Sequence, residues 1–219
     1  MNAITVTVPA AHVNAALQAV SDEKARYYLC GLFFDARGYI AATNGHILLA
    51  ARCSDAGKLA DCRPSYAAPD SAMAGVIVPT DALAQAIKAA GRSKGPDMTV
   101  ERDAHGQWWI LHGNARVAFT PVDGTFPDWQ RVVPTAPETL TPAHYDPRYI
   151  AAIGNMSKAL RDGRKDGATF FTLHQDGEAP ALVTFGDGPR TDCLAVIMPR
   201  RNSADPIDGP TFRDAFLTA

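Results

Sequence analysis

The sequence predicts an α+β fold of three tandem β-α-β-β-β units, with helices on one face of antiparallel sheets. Three stretches open alike: ITVTVPAAHVNAALQAV from Ile4, GVIVPTDALAQAIKAA from Gly75 and LTPAHYDPRYIAAIGNM from Leu140. In each, a short strand-like run meets a proline or a polar cap and then an alanine-rich segment. That segment carries apolar residues at i,i+4 on one helical face: Val13 with Leu17, Leu83 with Ile87, Tyr149 with Ile153. The helices start roughly 66–70 residues apart, the spacing of an internal repeat. Strand-like runs separated by turn dipeptides follow every helix, which places the helices together on one side of antiparallel sheets.

In the first unit a helix is expected over Ala10 to Val20, a strand over Tyr27 to Phe34, a turn at Asp35 to Gly38 and a strand over Tyr39 to Thr43. Asn44-Gly45 lies between two strand-like runs and signals a hairpin, with His46 to Arg52 returning. Ser54 to Met73 reads as a loop, with two prolines and little periodicity. In the second unit Asp81 suits a helix start, and Gly91 with Gly95-Pro96 ends that helix. Strands follow at Met98 to Arg102, Gln107 to Leu111 and Ala115 to Pro121. The third unit has Asp146 at its helix start, then strands at Ala168 to His174, Ala181 to Phe185 and Thr191 to Met198. Residues 202–219 form a tail, with a short helix expected over Thr211 to Leu217.

With 219 residues, 47% hydrophobic and 20% charged, the chain has an ordinary globular composition. No apolar run approaches membrane-spanning length and no leader pattern opens the chain, so a cytoplasmic protein is expected. Cys30, Cys53, Cys62 and Cys193 show no C-x-x-C spacing and read as buried reduced thiols. The six histidines show no metal-binding spacing, and neither a metal nor a cofactor is expected. Asp103, Asp123 and Asp128 are isolated turn or loop acids, and no nucleophile has a readable base, so an enzyme is not expected. A formal net charge of −2 means that any nucleic-acid surface must be a local basic face.

Val122 to Pro134, VDGTFPDWQRVVP, joins the second unit to the third. Phe126, Trp129, Val132 and Val133 are apolar, while Pro127 and Pro134 bar an ordinary helix or central strand. Such a segment lays its apolar side against something. It is either a connector packed on its own domain or one wall of a groove with Arg131 at the rim.

ARYYLCGLFF, ATNGH, VIVP before a helix, VDGTFPDWQRVVP and AVIMPRR, in this order, resemble the bacterial DNA sliding clamp, the beta subunit of DNA polymerase III. The resemblance covers about residues 2–201 and matches that family's middle domain followed by the second half of its last domain. It implies the DNA-clamp fold, with a clamp-like domain of two repeats over 1–134, a third repeat over 135–201, and the tail. It also implies a cleft that takes short linear motifs of DNA polymerase, clamp loader and repair proteins. Carried over residue by residue, that cleft is Leu29, Thr43, Gly45, His46, Leu48, Pro127, Arg131, Val132, Val196, Ile197, Met198 and Pro199. Each apolar member can equally be core, and His46 can simply complete the hairpin. The chain departs from the family's pattern at Asn44, usually Asp, and at Ile47, usually Arg.

The resemblance further implies contact with double-stranded DNA through Lys24, Arg26, Tyr27 and Tyr28. Helix-end cations would add Lys88, Arg92, Lys94, Lys158, Arg161, Arg164 and Lys165. Solvated helix termini, with cations offsetting the dipole, are the plainer account of the second group. Two functions remain open: a sliding-clamp-like processivity factor, or a non-encircling module or decoy that binds the same peptides without a ring on DNA. Three units per chain leave one unit unpaired. A homo-oligomer is therefore expected to pair half-domains about a two-fold axis if it does not close as a ring of four chains, and a monomer with an exposed edge is the remaining alternative.

Overall fold

A computed structural model describes residues 4–54, 59–60, 62, 74–93, 95–133, 143–160, 171–175, 179–186 and 192–200. The expected loop over Ser54 to Met73 lies mostly outside the described residues, as do Arg161, the tail 202–219 and its expected helix.

The first unit runs β1 (Ile4–Pro9), α1 (Ala10–Ala16, extended by a 3-10 turn over Leu17–Ala19), β2 (Gly31–Asp35), β3 (Tyr39–Thr43) and β4 (Ile47–Arg52). The second runs β5 (Gly75–Pro79), α2 (Thr80–Ala90), β6 (Asp97–Arg102), β7 (Trp108–His112) and β8 (Ala115–Phe119). The third has α3 (Pro147–Ala159), β9 (Phe171–His174), β10 (Ala181–Phe185) and β11 (Cys193–Ile197). The helices start where the repeat puts them. Pro9 and Pro79, in extended conformation, lead straight into α1 and α2. Ahead of α3 the Asp146 side chain accepts from the backbone N–H of Arg148 at 2.9 Å, with Pro147 in the first turn.

Two expected strands differ. Only Gly31–Asp35 of the run from Tyr27 is extended, and Lys24–Leu29 is a 3-10 helix kinked at Arg26. Its two tyrosines pack against the linker rather than a neighbouring strand: the Tyr27 hydroxyl donates to the Asp123 carbonyl, and Tyr28 sits against Gly124. Before α3, the described residues hold a single bridge, His144 to Arg200, in place of a strand.

The strands form a four-stranded sheet in the order β1-β6-β7-β8 and a seven-stranded sheet in the order β5-β2-β3-β4-β11-β10-β9, antiparallel throughout. The first two units exchange their opening strands. β1 leaves for β6, and β5 comes to β2. The third unit joins through β11, which pairs with β4 from Cys193↔Ala51 to Ile197↔Ile47. His12 on α1 reaches Asp192 at 3.2 Å and further ties the first unit to the third.

Alternation along the strands gives the large sheet two apolar faces. Leu32, Phe34, Ile40, Leu49, Ala195 and Ile197 pack with Val13, Leu83, Ile153 and Met156 of the helices in the main core. Phe33, Ala41, Leu48, Ala50, Ile77 and Val196 point the other way, into a smaller cluster closed by Phe126 and Trp129 of the linker. This double burial explains why β2 has no exposed residue. Cys62 and Cys193 are buried as expected, whereas Cys30 and Cys53 are only partly buried.

Candidate functional site

The linker is both of the things its sequence allows. Phe126 and Trp129 are core, 1% and 4% exposed. Phe126 stacks on Phe33 with ring centroids 4.9 Å apart, and Trp129 packs edge-on to Tyr39. The Val122 N–H donates to the Ile77 carbonyl at 3.0 Å, on the outer edge of β5. Pro127 and Val132, between and beyond those anchors, face a cavity of about 260 Å³.

A polar clamp fixes the linker's height over the sheet. Asp35, fully buried at the end of β2, accepts from the indole N–H of Trp129 at 3.0 Å. It also accepts from Arg37, through Nε at 2.9 Å and Nη2 at 2.6 Å. Arg37 in turn donates to Gln130 Oε1 at 2.9 Å and lies 3.8 Å from Asp128. Hydrogen bonding to Asp35 raises the Arg37 guanidinium above its ordinary pKa despite partial burial.

The opposite wall is the β3–β4 hairpin. Asn44 Oδ1 accepts from the backbone N–H of His46 and of Ile47, both at 3.0 Å. Thr43 Oγ1 donates to the Ile47 carbonyl at 2.8 Å and accepts from the Gly45 N–H at 3.0 Å. Gly45 has φ +88, which favours glycine; a Cβ there would stand 2.8 Å from Nη1 at the flexible end of Arg26. The last strand closes the site: the Met198 N–H donates to the His46 carbonyl at 2.8 Å. His46 stacks on Tyr149 of α3, ring centroids 5.1 Å apart, so the hairpin also seats the third unit.

Leu29, Thr43, Gly45, His46, Leu48, Pro127, Val132, Val196 and Met198 therefore line one cavity. Three expected members do not. Ile197 follows Val196 in β11, so its side chain enters the helix-side core, where it is fully buried. Arg131, in the 3-10 turn over Trp129–Val132, is exposed and lies outside the lining; Pro199, half-buried, lies outside it too. Five lining residues were not among the expected members: Arg26, Tyr28, Ile47, Asp128 and Trp129. Of the residues expected at DNA, Arg26 and Tyr28 thus face the cavity, with Arg26 Nε held by Glu23 at 2.7 Å. Lys24 and Tyr27 are exposed on the same 3-10 segment, Lys88 and Arg92 at the end of α2, and Lys158 in the last turn of α3.

The cavity's chemistry is that of a socket. Leu48, Val196, Val132 and Met198 give apolar surface, and Met198 and Val132 are 37% and 40% exposed. Thr43, His46, Arg26 and Asp128 supply polar groups at its margin. Asp103 is spent on structure: its carboxylate accepts from the indole of Trp109 at 3.0 Å and from two turn N–H groups, and these bonds lower its pKa. Burial pushes the Cys53 thiol up to about 12, away from the thiolate. Among the described residues no group of histidines, cysteines and carboxylates is arranged to hold a metal ion, and no helix is long and apolar enough to cross a membrane.

No family model matches the sequence, and no curated protein matches it. Solved structures do. The chain is similar to a sliding clamp, DNA polymerase III subunit beta, from Bartonella birtlesii bound to griselimycin, at 20% identity and a TM-score of 0.59, covering 91% of this chain and 66% of that one. It is similar to the beta subunit of DNA polymerase III from Thermotoga maritima, at 13% identity and 0.60, with the same coverage. For the polymerase sliding clamp of Bacillus subtilis the figures are 13% and 0.53, covering 90% and 64%. The chain has the sliding-clamp fold and spans just under two thirds of the length of these clamps.

Proposed function

We propose that this protein is a sliding-clamp-like replication factor, not an enzyme, that holds short peptide motifs of a DNA polymerase or its accessory proteins in the cavity between hairpin, linker and last strand. The observation that carries the reading is the apolar lining at Leu48, Val132, Val196 and Met198, open to solvent at Val132 and Met198 and bordered by polar groups. A few leucine or phenylalanine anchors in such a socket carry most of a peptide's affinity, about 2 kcal/mol or more each. Met198, unbranched and partly exposed, lets the socket repack around different anchors. Calorimetry with a short peptide carrying adjacent Leu and Phe tests it. Saturable binding that weakens in the Val132→Asp variant supports the reading, and no heat at any peptide concentration refutes it. Contact with double-stranded DNA is assigned to the exposed Lys24 and Tyr27 and to the helix-end cations Lys88, Arg92 and Lys158.

A second reading, a module that binds such peptides without encircling DNA, is favoured by one observation. Only eight residues, 135–142, lie between the linker and the lead-in to α3, so no companion unit precedes the third. Retention on closed circular DNA, lost when the circle is cut, separates the two readings in favour of the clamp.

A further inference from the structure

The first two units show how a unit of this chain is completed. Each gives the strand leading into its helix to the other's sheet, β1 to β6 and β5 to β2. In the first exchange Thr7 faces Thr99, their hydroxyls 3.3 Å apart. The Thr7 carbonyl also accepts from the Ser54 N–H, just beyond β4, so β1 is bound to its own unit on one side and to the companion on the other.

The third unit repeats this pattern. His144 stands at the same distance before α3 as Thr7 before α1, and its carbonyl accepts from the Arg200 N–H, just beyond β11, at 2.7 Å. β9 holds the place of β6: Phe171 and Leu173 pack toward the helix-side core as Met98 and Val100 do. Yet β9 ends its sheet, with β10 on one side and no strand on the other among the described residues. The other free margins are shielded. β5 ends in Pro79 and takes the bond from Val122, while β8 bears Arg116 and lends the Phe119 carbonyl to Gln107. β9 reads FTLH and has neither the proline nor the lysine that keeps an edge from pairing.

We propose that two copies of this chain pair through their third units. Each lays its lead-in around His144 along β9 of the other, and two identical halves make one complete two-unit domain about a two-fold axis. Such an isologous contact is closed, because each copy gives one strand and accepts one. By the register of β1 on β6, His144 faces Thr172 of the second copy, as Thr7 faces Thr99; both side chains are exposed within one chain. The proposal does not rest on the ligand of the cavity, so loss of peptide binding in a cavity variant leaves it untouched.

Light scattering of the full wild-type chain at micromolar concentration is expected to give an assembly of two chains or a multiple of two. A His144→Cys/Thr172→Cys variant is expected to form an inter-chain disulfide on mild oxidation, since facing residues of antiparallel strands lie within the span a disulfide needs. The wild-type chain and each single variant, which share the native cysteines, give the background. A wild-type chain that stays single overturns the proposal whether or not the variant folds. An assembly in which the double variant cross-links no better than the single variants overturns it as well.

Discussion

Removing the carboxylate of Asp35 takes away the acceptor shared by Nε and Nη2 of Arg37 and the indole N–H of Trp129. Leaving a buried donor such as the Trp129 indole without its acceptor typically costs roughly 1–3 kcal/mol. Asp35→Ala is expected to lower stability by about that amount in urea denaturation and to loosen the linker that walls the cavity. Met198 behaves differently. Its side chain is partly exposed on the lining, so Met198→Ala is expected to weaken peptide binding by about 1–3 kcal/mol in calorimetry with little change in stability. Most of the lining was legible because its residues sit in short motifs whose order could be read. The Asp35 clamp was not: in the sequence Asp35 opens a turn, and its bond to Trp129 spans 94 positions. Ile197 was misplaced for a reason the sequence does contain, since successive strand residues face opposite ways and Val196 had already taken the cavity side.

At the level of elements, α3 depends on its cap. The Arg148 side chain, and then its backbone N–H, hold the Asp146 carboxyl down at about 2. That lies below the unfolded value of about 3.9, so the cap's contribution is complete above the ordinary carboxylate range and is lost as the pH falls from about 4 toward 2. An acid titration followed by circular dichroism is expected to show Asp146→Asn losing less stability over that window than wild type, because asparagine caps without titrating. The hairpin depends on Gly45. A Gly45→Ala change meets a left-handed φ, and is expected to cost about 1 kcal/mol or more in thermal unfolding. Helix periodicity and turn dipeptides placed the three helices and most strands. The segment from Lys24 to Leu29 escaped because an apolar aromatic run reads the same whether it pairs with a strand or packs on a linker a hundred residues away.

Across the whole molecule, the seven-stranded sheet runs through all three units, with β5 at one end and β9 at the other. DNA binding is expected to be weak on a body of formal net charge −2 and to fall with salt as condensed counterions are released. In fluorescence anisotropy a Lys88→Ala/Lys158→Ala variant should reduce the salt slope by about one per lysine, and an unchanged slope removes the helix ends from the contact. The splice of β11 onto β4 also sets a clock. The hairpin and the linker are translated before the stretch past residue 190 that supplies Val196 and Met198. A chain interrupted before Cys193 has two walls and no third, and nothing for the His46 carbonyl to accept. A partner that grips this cavity therefore needs a chain translated past Met198 and passes over shorter ones.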